Sequence, residues 1–166
     1  MRHLHSNAVL MIRQSDGVTL AAIISPDNIV FLEPGISKEE SVRLMAEKML
    51  GQLGGIITHK ALFDRLTEVE KLNQVLESGF YIPHAKFPEL DGFHGVLGVS
   101  REGFADQASG LRVKVALLLL SPHKPAFFQR HLNILSLLSQ TFQPALIDKL
   151  AGLTDPTAVV SAILKP

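Results

Sequence analysis

The chain has 166 residues, 46% of them apolar and 19% charged, with 16 basic and 16 acidic side chains and therefore no formal net charge. That length suits one domain with a sizeable core, and the charge balance gives no electrostatic case for a nucleic-acid partner. Cysteine is absent, which excludes disulfides, thiolate metal sites and a cysteine nucleophile.

Ala8–Ile12 and Val18–Ile24 are apolar runs separated by Asp16-Gly17, a turn signal because glycine accepts positive φ at no steric cost. The pattern predicts an N-terminal hairpin, with a loosely ordered extension as the plainer reading. The start carries no small-residue cleavage site, so it is not read as a signal peptide. Ile29–Leu32 reads as a short strand closed by Pro34-Gly35. Ser37 and Glu40 form a capping-box pattern and open a helix whose apolar face is Val42, Met45, Ala46, Met49, Leu50 and Leu53, stopped by Gly54-Gly55. The stretch "THKALFDRLTEVEKLNQVL" predicts a second helix with Leu62, Leu66, Val69, Leu72 and Leu76 on one side.

Gly79 breaks that pattern, and Phe80–Ile82 and Gly95–Val99 read as strands. "VKVALLLL", residues 113–120, has the continuous apolar character of a strand covered on both faces. Its longest apolar run falls far short of the about 20 residues that a membrane span requires, so no membrane insertion is expected and a cytoplasmic location is the default. Pro125 begins a long helix through Phe142, with His131, Leu135, Leu138 and Phe142 along one face and Phe128 and Leu132 beside it. Shorter helices follow from Pro144 to Leu150 and after Asp155-Pro156. Helices interleaved with short strands predict one α/β domain, a mixed β-sheet flanked by helices on both faces, with the hairpin as an extension.

Neither a Walker loop nor a Rossmann fingerprint occurs, so there is no basis for direct ATP or NAD use, and there is no G-x-S-x-G elbow. Seven histidines are present, but none pair at the spacing of a helical zinc motif. A metal-dependent hydrolase using His84, His123 and His131 is the weakest of the enzyme readings. That leaves histidine as nucleophile or proton shuttle, because an imidazole titrating near pH 6.5 keeps a lone pair at neutral pH. His84 follows Pro83, which fixes its own φ and holds Ile82 extended. A stiff strand end would present its ring beside a loop; the ordinary reading is a surface loop histidine. His131 lies on the apolar face of its helix, where the ordinary reading is a buried, hydrogen-bonded core histidine. The functional reading has both rings share a phosphoryl group, one as nucleophile and one as donor to phosphate oxygens.

"SGFYIPHAKFPEL", then "VLGVSREGF", "VALLLLSP" and "HLNILSLLSQTF", resemble the enzyme IIA domain of the bacterial phosphoenolpyruvate:sugar phosphotransferase system, of the fructose/mannitol/nitrogen-regulatory type. The likeness runs through about residues 19–164, so residues 1–18 form an N-terminal extension and 19–166 the phosphocarrier-like domain. The two roles open to the extension are packing as a hairpin and self-association into a homodimer. The resemblance implies that His84 is the phosphoryl acceptor, His131 the supporting histidine, an HPr-like carrier the donor and a IIB domain or a regulated transporter or kinase the recipient. It implies no cofactor. The family's usual arginine is replaced by Val69, Glu70 is retained, and Tyr81 replaces a small residue. Arg65, one turn before Val69, is the nearest substitute cation; Arg101, Lys86 and Arg130 are further ones. Those replacements motivate a rival reading, a IIA-like regulatory or interaction module with weak or lost phosphotransfer.

Overall fold

The structure is a computed structural model that describes residues 20–165. A five-stranded mixed sheet forms its centre, built from β1 (Ile29–Leu32), β2 (Phe80–Tyr81), β3 (His84–Phe87), β4 (His94–Ala105) and β5 (Arg112–Pro122). β1 runs parallel to β4, β4 antiparallel to β5, and β2 and β3 follow one another along the far side of β5, both parallel to it. The register is unbroken across the gap: Tyr81 faces Ala116 and His84 faces Leu119. Pro83 has no amide to donate, but its carbonyl accepts from Leu119 N at 2.9 Å, so the two short strands act as one strand.

β5 shows why the apolar run is continuous. Val115, Leu117 and Leu119 point into one core, while Ala116, Leu118 and Leu120 point into the other. The first core is closed by α4 (Phe128–Thr141), α5 (Pro144–Ala151), α6 (Pro156–Leu164) and the one-turn helix α1 (Leu20–Ile23). The second is closed by α2 (Lys38–Leu53) and α3 (His59–Val69). Ser37 Oγ accepts from Glu40 N and Thr58 Oγ1 from Ala61 N, so both helices start on side-chain caps. The reciprocal half of the capping box is absent, since the Glu40 carboxylate binds Arg43 instead.

Three expectations change. The first arm of the predicted hairpin lies outside the described residues, and where the second arm should be a strand, Leu20–Ile23 form a helical turn. The second helix ends at Val69, followed by a 3₁₀ turn over Glu70–Leu72, well short of Leu76. Leu72 is 77% exposed and not on the buried face. The chain there turns to form a tight hairpin: Gly79 N donates to Leu76 O, Val75 bridges to Tyr81, and Gly79 takes a φ of +86°. A β-carbon on Gly79 would sit 2.9 Å from the Arg112 carbonyl, so both the angle and the space require glycine. On α4 the buried stripe is rotated: Ile134 and Leu137 join His131 and Leu138, while Leu132 is 58% exposed.

Candidate functional site

His84 opens β3 and three paired residues follow it, so it lies within the β2–β3 strand and not at the strand end beside a loop that the sequence predicts. Alternation along that strand sends Phe80 and Ile82 into the α4–α6 core, and His84, two residues on, meets α4 itself. Its ring centroid lies 5.5 Å from that of His131, with the planes inclined at 48°. The predicted pair therefore meets.

Each ring is held by one nitrogen. His84 Nδ1 is 2.7 Å from the Ile82 carbonyl. A carbonyl only accepts, so Nδ1 carries the proton and Nε2 the lone pair. From the other side, Asn73 Nδ2 donates to the His84 carbonyl at 3.0 Å. His131, 3% exposed, is 2.7 Å through Nδ1 from the hydroxyl of Ser121, which is fully buried at the end of β5. Burial is the main cause lowering both imidazoles' affinity for protons. For His84 the Ile82 hydrogen bond partly opposes it and Lys86 adds to it. His131, with Lys86 and His84 as neighbours, is pushed down to about 4. Two neutral rings at neutral pH follow, one of them with a free nucleophilic nitrogen.

Lys86, two residues after His84 and on the same side of β3, supplies the nearby positive charge. Its Nζ stands 4.6 Å from the centre of the Phe128 ring, an aromatic face that steadies an ammonium without neutralising it. Lys86 makes no ion pair among the described residues. Phe128 opens α4, whose first turn holds no acidic side chain.

The other cations are placed differently. Arg65 lines a shallow depression with Lys86 and His123, but its Nη1 is held by Glu68 at 2.9 Å. Arg130 packs over Phe127 at 5.6 Å. Arg101 is not brought to the site. It lies in the irregular stretch of β4 between Val99, opposite Val115, and Phe104, opposite Val113. His84 is level with Leu119, about 16 Å away along the strand at ~3.3 Å per residue. Glu70 lines a cavity with Tyr81 on the opposite face of the sheet, and Val69 is buried in the core on that face. The His123 ring packs beside Phe128 at 5.7 Å. Among the described residues no three or more His, Cys, Asp or Glu side chains gather as a metal site, and no helix is long and apolar enough to cross a membrane.

Sequence reasoning did not single out Ser121 or Asn73. Ser121 was within reach of it: counting in twos from Leu119 puts it on the face that α4 covers. Asn73 had no such signal, because its role depends on where the helix stops.

The family model for "Phosphoenolpyruvate-dependent sugar phosphotransferase system, EIIA 2" matches residues 22–165. The chain belongs to that family. Solved structures of the same architecture include the nitrogen regulatory protein IIA-Ntr of Neisseria meningitidis, 24% identical, with a TM-score of 0.74 over 87% of this chain and 98% of that one. IIA mannitol of Escherichia coli is 17% identical, with a TM-score of 0.67 over 84% of this chain and 98% of that one. The complex of E. coli enzyme IIA mannitol with phosphorylated IIB mannitol matches at 16% identity and a TM-score of 0.66, over 86% of this chain and 98% of the other. At these identities the likeness shows the fold. No curated protein sequence matches. As a phosphotransferase-system IIA domain, the chain is a phosphocarrier component.

Proposed function

We propose that this IIA domain carries its phosphoryl group on Nε2 of His84. In the transfer, the Nε2 lone pair attacks the phosphorus of a phosphohistidine on an HPr-like donor. The new N–P bond forms as the donor's N–P bond breaks, and the departing imidazole keeps the electron pair. Positive charge then develops on the His84 ring, and the Ile82 carbonyl, accepting from Nδ1–H, stabilises it. Ser121 donates to His131 Nδ1, which leaves His131 Nε2–H to donate to a phosphate oxygen. Lys86 offsets the charge spread over the phosphoryl oxygens. The group then passes to a IIB domain or stays as a regulatory signal. Exposed Phe128 and Leu132, beside His131 on α4, give a partner apolar surface to dock on.

The observation that carries this reading is the 2.7 Å contact of His84 Nδ1 with Ile82 O, since it leaves Nε2 free and neutral beside a second imidazole and an unpaired ammonium. The test is incubation with phosphoenolpyruvate, enzyme I and HPr, followed by intact-mass measurement. The expected result is an acid-labile gain of one phosphoryl group that His84→Ala abolishes. No gain, or a gain that survives His84→Ala, overturns it.

A second reading is a regulatory module with slow or lost transfer. What favours it is the placement of the arginine: Arg65 is engaged by Glu68, and Val69 adds only core surface. In that case His84→Ala leaves binding to the physiological partner unchanged.

A further inference from the structure

On the sheet face opposite His84, a cavity of about 210 Å³ opens between α2, α3 and the β2–β3 strand. That is room for roughly seven waters at ~30 Å³ each, below the usual size of drug-sized pockets and right for a small metabolite-like molecule. Val42, Phe63, Leu66 and Pro83 give it apolar walls, and Tyr81, Glu39 and Glu70 line it as well.

Two independent features show that its polar part is incomplete. Tyr81 is 2% exposed, yet its hydroxyl has no hydrogen-bond partner among the described residues, although a buried phenol normally finds one. The carboxylates of Glu70 and Glu39, both lining the cavity, act on that phenol, which burial and these charges hold strongly in its protonated form. Neither carboxylate has an ion-pair partner among the described residues. The lining's one cation, Arg43, is engaged by Glu40. The Lys38 ammonium over the Tyr81 ring is bound to Asp106 at 2.9 Å.

We propose that this cavity is a binding site for a small organic cation, an ammonium group on an apolar body. The body would pack between Phe63, Leu66 and Val42. The ammonium would donate to the Glu39 and Glu70 carboxylates and to the Tyr81 oxygen. The cavity is walled by Pro83, and Asn73, which also lines it, holds the His84 carbonyl. An occupant therefore touches both residues that fix the backbone of His84. Binding itself does not depend on the phosphoryl-carrier reading.

The test is titration of the full chain with 2-phenylethylammonium, read by amide and side-chain NMR shifts, with phenylacetate as the anion of similar shape. We expect saturable shifts at Val42, Phe63, Leu66 and Tyr81, with a Kd on the order of 1 mM. Tyr81→Phe, which removes only an unpaired hydroxyl, should weaken binding about fivefold, as should Glu70→Gln. Phenylacetate should bind at least about tenfold more weakly. Absence of saturable shifts at these residues, equal binding of the anion, or unchanged affinity in both variants would overturn the proposal.

Discussion

Position alone does not select His84 and His131, since a Pro-His pair reads first as a surface loop and a histidine on an apolar helix face as a core residue; the family resemblance sets the two together. In the structure His84 begins β3, and His131 lies on the buried stripe of its helix. What the sequence does not carry is the wiring that assigns their nitrogens. The contact of Nδ1 with the Ile82 carbonyl depends on the local backbone and rotamer of His84, and the Ser121 contact needs β5 and α4 at their final distance. At this scale the lowered proton affinities have a direct reading. The ring of His84 should titrate below pH 6.5 in a histidine-proton NMR experiment, and a midpoint above 6.5 would contradict the buried, Lys86-facing site. His131 titrates at about 4 when folded and near 6.5 when unfolded. Between those values the unfolded chain binds the extra proton. Stability should therefore be full above pH 6.5 and fall as the pH drops towards 4, by about 3 kcal/mol at most from this group. Urea unfolding across that range, with His131→Gln flattening the slope, measures it. Lys86 is the remaining variable. Lys86→Gln should slow phosphorylation of the protein about tenfold, equivalent to ~1.4 kcal/mol of transition-state stabilisation, while Lys86→Arg keeps most of the rate. Equal rates for wild type and Lys86→Gln would remove the ammonium from the mechanism.

Among the elements, capped helices and the double-sided strand were legible because their signals are local: a serine three residues before a glutamate, or an unbroken apolar run. The end of the second helix was not. Apolar spacing continues through Leu72 and Leu76, so periodicity alone carries the helix on. The chain leaves the helix at Asn73, whose backbone is extended: its N closes the last turn on Val69 and Glu70, and its side chain crosses to the His84 carbonyl. The turn at Gly79 then returns the chain as β2. Asn73→Ala should cost about 1–2 kcal/mol by leaving that part-buried carbonyl without its donor. It should also raise amide hydrogen exchange at His84 and Ala85 more than elsewhere. A uniform change in exchange would mean that Asn73 stabilises the domain generally and does not fix the backbone at His84. Gly79→Ala meets both a positive φ and the Arg112 carbonyl, and should destabilise by more than about 1 kcal/mol in the same unfolding assay.

For the molecule as a whole, composition and the order of elements pointed to a mixed sheet between two helical layers, and the structure has that form. α2 and α3 cover one face and α4–α6 the other. The sheet order was beyond reach, since β1 reaches β4, and β2 and β3 reach β5, through contacts distant in the chain; only β4 and β5 are joined locally, as a hairpin. That order matters for the site: β5 places Ser121 beside Lys86, and so joins the strand of His84 to the helix of His131. The central claim is that the phosphoryl group resides on His84 Nε2 while Nδ1 keeps its proton. The direct measurement is ¹⁵N-imidazole and ³¹P NMR of the protein phosphorylated by phosphoenolpyruvate, enzyme I and HPr. Phosphorus coupled to His84 Nε2, with Nδ1 still protonated, is the predicted result. Phosphorus on Nδ1, on another histidine, or on none would contradict it.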